Sequence, residues 1–136
     1  GAKDFQQLML VKQLVKDFFL YIEIIGLEAI RETSGLVLSS RNKRLDANQK
    51  TLATKIFSIL NSIKTEVLEN KDIELSLENA NKKLIEMGFS QIDYLEIRNE
   101  EDLSLVTSFN GEIKSRIFIA VYIGKIRLID NLLINP

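Results

Sequence analysis

Cysteine, histidine and tryptophan are absent from this 136-residue sequence, and proline occurs once. Without Cys or His there is no disulfide, no thiolate nucleophile, no imidazole acid–base group and no ligand set for an ordinary zinc site. Any chemistry falls to hydroxyls, lysine, arginine, carboxylates and the backbone. An excess of charge is missing as well: 18 Lys+Arg against 19 Asp+Glu leave a formal net charge of −1. That balance supplies no global field to attract nucleic acid, so a basic site has to be local. Long hydrophobic runs are also lacking. The opening GAKDFQQLMLVKQLVKDFFLYIEII is broken by Lys, Asp, Gln and Glu, whereas a bilayer span needs about 20 predominantly apolar residues. It does not show the basic, apolar and small-residue regions of a signal peptide in order. These absences lead us to expect a cytoplasmic protein with neither a membrane nor a nucleic acid as partner. What is present, 46% hydrophobic and 27% charged residues, is a folding composition, at a length that suits one domain or two small ones.

Periodicity organises the chain. Phe5, Leu8, Met9, Val11, Leu14, Val15 and Phe18 follow helical spacing, which predicts a helix over Phe5 to Phe18 with Asp4 as N-cap and Gln7 completing a capping box. Tyr21-Ile22-Glu23-Ile24-Ile25, closed by Gly26, reads as a strand buried on both faces. A helix feeding such a strand is the second half of a βαβ unit, so the opening resembles a piece from inside a parallel α/β domain. Leu27 to Leu45 lacks a sustained period and reads as a loop between two modules. Asp46, with Gln49 three residues on, caps a long amphipathic helix carrying Leu52, Ile56, Ile59, Leu60, Ile63, Val67 and Leu68 and ending near Asn70. A further helix, about Ile73 to Met87, carries Leu75, Leu77, Ala80, Leu84 and Ile85 and stops at Gly88, suited to a left-handed C-cap. Three strands are expected at Gln91 to Arg98, Arg116 to Tyr122 and Lys125 to Ile129, the last two joined through Ile123-Gly124 in a tight hairpin. The fold class is therefore α/β, with a C-terminal α+β module of two helices on a three-stranded, mainly antiparallel sheet. No internal repeat suggests a solenoid.

Three segments could carry chemistry. In Gly1-Ala2-Lys3-Asp4-Phe5-Gln6-Gln7 a glycine permits close backbone approach, and a helix N-terminus offers free N–H groups to an anion; the alternative is plain helix capping with Lys3 solvated. Ser34-Gly35-Leu36-Val37-Leu38-Ser39-Ser40-Arg41-Asn42-Lys43-Arg44 places two hydroxyls and three cations in a loop before a helix. Such a loop suits a polyphosphate, because hydroxyl and guanidinium groups donate to it; a solvated basic turn is equally compatible with these residues. Gly124 to Asn131 sets Arg127 and Asp130 in an apolar hairpin, where a structural role is favoured, with Asp130 and Asn131 satisfying backbone groups at the strand end. Glu96, Glu100 and Glu101 have nothing to separate them from solvated surface or hairpin charges. Two non-catalytic readings remain beside an enzyme: an RNA- or anion-binding module using Ser39 to Arg44, and a structural or dimerisation fragment.

In order and spacing, GAKDFQQL, RETSGLVLSSRNKRL, IDYLEIRN and RIFIAVYIGKIRLIDNL closely resemble the pantothenate synthetase, or pantoate-β-alanine ligase, family. The resemblance covers essentially the whole chain and is most specific at SGLVLSSRN. It implies the C-terminal end of a Rossmann-like nucleotide-binding domain at 1–37 and an α+β lid domain at 38–136. It also implies ATP-dependent condensation of pantoate with β-alanine through a pantoyl adenylate, releasing pyrophosphate and then AMP, in a homodimeric complete enzyme. Carried over residue by residue, Lys3 matches a lysine on the phosphates and pantoyl group, Asp4 an acidic residue near the ribose, and Gln7 a glutamine holding pantoate. Gly1 matches a glycine whose backbone lies at the nucleotide, and Ile30 an apolar residue lining the adenine pocket by its backbone. Leu38 stands where Met is usual at the ATP site. Ser39, Ser40 and Arg41 match the phosphate loop, so that Lys3, Ser39, Ser40 and Arg41 are the implied catalytic set. Ala2 replaces a usual Glu and Ser34 a usual Asp. The family's His-x-Gly-His type motif has no counterpart in a chain without histidine, and the ligands of Mg2+, like further pantoate contacts, are expected in an upstream part. The expectation is that this piece alone does not turn over.

Overall fold

The computed structural model describes residues 1–135, with three α-helices, α1 (Phe5–Asp17), α2 (Ala47–Leu68) and α3 (Ile73–Met87), and three strands, β1 (Gln91–Asn99), β2 (Ser115–Ile123) and β3 (Ile126–Leu133). The strands pair in the order β1-β2-β3 and are antiparallel throughout. Among the described residues no helix is long and apolar enough to cross a membrane.

Side chains on a strand alternate between faces, and here both faces are used. Ile117, Ile119, Val121 and Ile123 of β2, with Leu128 of β3 and Ile97 of β1, meet Ala53, Ile56, Leu60, Ile63 and Val67 of α2 and Ala80 and Leu84 of α3 in the main core. The α2 members are spaced three and four apart, which is one stripe of a helix. On the opposite face Phe118 packs edge-on against Phe5, ring centroids 5.6 Å apart, with Ala2 beside them. The start of α1 is thereby pinned to the sheet.

Most sequence expectations hold to within a few residues. Asp46 and Gln49 form the reciprocal capping box, with Gln49 N–H donating to Asp46 Oδ1 at 2.8 Å and Asp46 N–H to Gln49 Oε1 at 3.0 Å. Helix α2 stops at Leu68, short of Asn70, which takes a left-handed φ of 58°. Gly88 caps α3 at φ 109°. The β2–β3 turn is Gly124-Lys125, one residue later than expected, because Ile123 pairs directly with Ile126 and Gly124 supplies the positive φ of 57°.

Other expectations are corrected. Tyr21–Ile25 does not form a strand: among the described residues no strand pairs with it, so its backbone groups have no ladder to join, and Tyr21 is fully exposed. Asp4 occupies the N-cap position of α1 but makes no side-chain cap bond; its carboxylate instead pairs with Lys3 Nζ at 2.9 Å. Only Phe5 of the α1 stripe is buried, while Val11, Leu14 and Phe18 face outward. Leu68, Leu75 and Ile85 are likewise exposed, lying off the stripes that α2 and α3 turn to the sheet. In β1 the register shifts between Ile92 and Tyr94, so Ile92, Leu95 and Ile97 all reach the main core although their spacing is not strictly alternate.

Candidate functional site

The loop after residue 30 folds on itself before it reaches the serines. Arg31 and Val37 form an isolated antiparallel bridge; Glu32 N–H donates to Leu36 O at 2.9 Å and Leu38 N–H to Ile30 O at 2.9 Å. Gly35, at φ 84°, makes this miniature hairpin possible, and an added Cβ would stand 2.6 Å from the Phe57 ring. Ser40–Arg44 then winds into a short 3-10 helix. Ser39 is its N-cap, its Oγ accepting from Arg41 N–H at 3.2 Å. A hydroxyl that accepts still has its own proton to give, so capping leaves Ser39 a donor. Asn42 is buried behind the loop and donates through Nδ2 to Val37 O at 2.9 Å, while its Oδ1 has no partner.

The sequence-predicted residues from the two ends of the opening 45 come together here. Lys3 and Asp4 form one wall, and Leu38, Ser39, Ser40, Arg41 and Arg44 the other, of an open cleft of about 550 Å³. The cleft is electropositive in makeup, with three cations against one carboxylate. Asp4 is already engaged by Lys3, and Arg41, Lys43 and Arg44 have no carboxylate partner among the described residues. Unpaired guanidinium groups beside hydroxyls suit an oligophosphate anion. Leu38, half exposed, adds an apolar patch at the rim.

The other predicted residues lie outside this cleft. Gly1 adjoins the Lys3 wall, its carbonyl accepting from Asp4 N–H at 3.3 Å, and Ala2 N–H is bound to Leu27 O at 2.7 Å. Ile30 contributes its carbonyl to the loop through Leu38, while its side chain is exposed. Gln7 projects from α1 into solvent and does not line the cleft.

The hairpin polar residues do more than finish a strand. Asp130 receives Arg31 in a forked pair, Nη1 to Oδ2 at 2.6 Å and Nη2 to Oδ1 at 2.8 Å, and Arg31 lies 4.1 Å from the Phe57 ring centroid. Asn131 donates to the carbonyls of Ala2 and Lys3 at 2.8 and 3.0 Å. Arg127 pairs with Asp93 at 2.7 Å, and this, with the Tyr94 and Tyr122 rings nearby, raises its pKa above the usual arginine value, the hydrogen bond to Asp93 being the main cause. The expectation for Glu100 is corrected: it is largely shielded and takes the buried Arg116, which also donates to Asn131 Oδ1. Arg31, Asn42 and Arg116 were not singled out by sequence, because each partner lies far along the chain or behind a turn.

Comparison with known proteins places the chain in a family. The family model described as pantoate-beta-alanine ligase matches residues 1–133. A pantothenate synthetase from Shewanella woodyi is 48% identical over 132 residues, covering 97% of this chain and 46% of that protein. A crystal structure of pantothenate synthetase from Thermus thermophilus superposes with a TM-score of 0.89 at 29% identity, covering 100% of this chain and 49% of the other. A pantoate-beta-alanine ligase from Francisella tularensis, solved in complex with beta-gamma ATP and beta-alanine, gives a TM-score of 0.67 at 41% identity, covering 98% and 41%. The chain thus spans about half the length of the relatives it matches.

Proposed function

The chain belongs to the pantoate-beta-alanine ligase family, and from that premise we propose that it forms the C-terminal half of an enzyme that joins pantoate to β-alanine at the expense of ATP. The observation that carries this reading is the cleft itself, in which Lys3, Arg41 and Arg44 stand with the Ser39 and Ser40 hydroxyls around a space open to an oligophosphate. Residues 1–37 belong on this reading to the nucleotide-binding domain and 38–136 to the domain that covers it. The complete enzyme is a cytoplasmic homodimer, as the family resemblance implies.

The reaction has two substitutions. A pantoate carboxylate oxygen bonds to the α-phosphorus of ATP while the bond from that phosphorus to the bridging oxygen breaks, and the electron pair leaves with pyrophosphate. The β-alanine amine then bonds to the acyl carbon, AMP departs with its oxygen, and the amine nitrogen loses a proton to solvent. Both steps shift negative charge onto a phosphate leaving group, so positioned cations and donors supply much of the acceleration. Arg41 and Lys3 neutralise the triphosphate from opposite walls. Ser39 and Ser40 donate to its oxygens, Asp4 orients Lys3 and lies toward the ribose, and Gly1, Ile30 and Leu38 contact the nucleoside. Gln7 holds pantoate in the space between α1 and the other half of the enzyme.

Mg2+ does not fit this half by itself. Asp4 is the one carboxylate lining the cleft and it is committed to Lys3; no cluster of three or more His, Cys, Asp or Glu is assembled among the described residues. This chain alone is inactive, because the face of the site opposite the cleft lies outside it.

The deciding experiment is exchange of labelled pyrophosphate into ATP by the full-length protein, with and without pantoate. Exchange that requires pantoate supports the adenylating step. A folded, ATP-binding protein with no exchange overturns it.

A further inference from the structure

Two adjacent residues of β3 hold the two walls of the cleft. Neighbouring side chains on a strand point to opposite faces of the sheet. Asp130 points to the face covered by α2 and there grips Arg31, which also donates to Gly35 O at 3.0 Å and Asn131 O at 3.2 Å. Arg31 is the first residue of the hairpin that delivers Leu38 to Arg41. Asn131 points to the other face and there takes the carbonyls of Ala2 and Lys3, which fixes the backbone from which the Lys3 side chain leaves.

Both residues are almost completely buried, and both are held in orientation. Arg116 Nη1 donates to Asn131 Oδ1 at 2.6 Å, so the amide presents its NH2 and not its oxygen to Ala2 and Lys3. Asn131 N–H donates to Asp130 Oδ1 at 2.8 Å, which ties one anchor to the other. On the hairpin side, the Phe57 ring backs the guanidinium of Arg31, and a planar fork on a carboxylate admits little rotation. The Lys3 wall and the Ser39–Arg41 wall belong to segments more than thirty residues apart, and both are referred to the same two-residue piece of an edge strand.

We propose that Asp130 and Asn131 are positioning residues that set the separation of the two cleft walls, and so the fit of the cleft to a nucleoside triphosphate. The nature of the ligand rests on the ligase reading above; the anchoring geometry does not. Neither residue touches the space where the phosphates would lie, since neither lines the cleft. Their effect runs through Arg31 and through the Ala2–Lys3 backbone.

The test uses two nearly isosteric changes. Asn131→Asp keeps the acceptor for Arg116 but turns an oxygen toward two carbonyls. Asp130→Asn removes the charge from the Arg31 fork. Arg31→Lys, which keeps the charge and gives up only the fork, serves if either of these does not fold. In the full-length protein, at a temperature where circular dichroism shows each variant fully folded, the expected result is a loss of about tenfold or more in kcat/KM for ATP in pyrophosphate exchange, as small misplacements of positioned groups produce. Unchanged constants in variants with a lowered Tm would make both residues structural only and overturn the proposal. A second arm is independent of activity. These 136 residues hold no cysteine, so in the full-length protein, with any cysteine outside them replaced, spin labels at Gln6→Cys and Lys43→Cys, one beside each wall, report their separation directly. The expected result is a shifted or broadened distance distribution in Asn131→Asp and Asp130→Asn; an unaltered distribution overturns the inference. Should the parent protein show no exchange at all, the ligase reading fails and the distance arm still decides this one.

Discussion

Arg41 illustrates how little a single cleft residue owes to the stability of the fold. Its side chain is exposed and meets no carboxylate among the described residues, so truncating it removes charge from the cleft without uncovering core. Arg41→Ala in the full-length protein should cost adenylate formation about 2 to 4 kcal/mol of transition-state stabilisation, the scale of a lost charge-stabilising donor. Lys43→Ala, two residues on and outside the cleft lining, should change kcat/KM by less than about 0.5 kcal/mol. Equal effects of the two, measured in the exchange assay, would reduce Arg41 to a general surface charge. A second residue-scale expectation concerns Asp102. Its carboxylate accepts from the Ser104 hydroxyl at 2.6 Å and from the Ser104 N–H at 2.9 Å, and the hydroxyl bond above all holds its pKa below the ordinary 3.8. A lowered folded-state pKa means that the turn's contribution is complete above 3.8 and is lost as pH falls through the depressed value. The Ser104 amide resonance should therefore titrate below pH 3.8; a midpoint at or above that value would contradict the bond.

At the scale of elements, two glycines separate conformational cost from steric cost. Gly88 and Gly35 both have positive φ, but a Cβ at Gly88 meets only Leu52 at 3.9 Å, whereas at Gly35 it meets Phe57 at 2.6 Å. Gly88→Ala should lose about 1 to 2 kcal/mol from the left-handed backbone alone. Gly35→Ala should lose about 1 to 3 kcal/mol more from overpacking, and because Phe57 backs Arg31 it should weaken ATP binding as well. Urea denaturation of the pair gives the comparison, and equal losses would place the Phe57 contact in doubt. The same distinction explains what was legible beforehand. Capping signals and helical stripes are local, so Asp46, Gln49 and Gly88 could be read from a few neighbouring letters. Tyr21–Ile25 is a run of apolar β-formers, but a strand needs a pairing neighbour, and the described residues supply none. Lys3, Ser39, Ser40 and Arg41 stand out in the sequence as candidate phosphate donors, and the structure brings them to one cleft. In sequence Asp130 and Asn131 read as strand-end satisfiers, because Arg31 and Ala2 lie 99 and 129 residues away and no local pattern encodes such partners.

For the molecule as a whole, the exposed apolar side chains of α1 and the segment after it set it apart from an ordinary monomer. Leu10, Val11 and Leu14 of α1 run into Phe18, Phe19, Leu20, Tyr21, Ile22 and Ile25, all exposed. So many exposed large apolar side chains within sixteen residues is uncommon on free soluble monomers. This chain by itself should bind an apolar dye such as ANS and sediment as a concentration-dependent mixture. The full-length protein should do neither through this surface. A dye-free, strictly monomeric chain would mean that α1 and the segment after it rearrange to hide these side chains.

The bond from Asn131 to the carbonyls of Ala2 and Lys3 also fixes an order of events during synthesis. The ribosome delivers residue 3 long before residue 131, and contacts of such long separation are closed late. While the helices and the first two strands are being made, the Ala2 and Lys3 carbonyls lack their Asn131 partner, and neither wall of the cleft is yet anchored to β3. The emergence of β3 is what anchors both walls of the cleft, so on the ligase reading proposed above nucleotide retention is expected to appear in one step once β3 has been made.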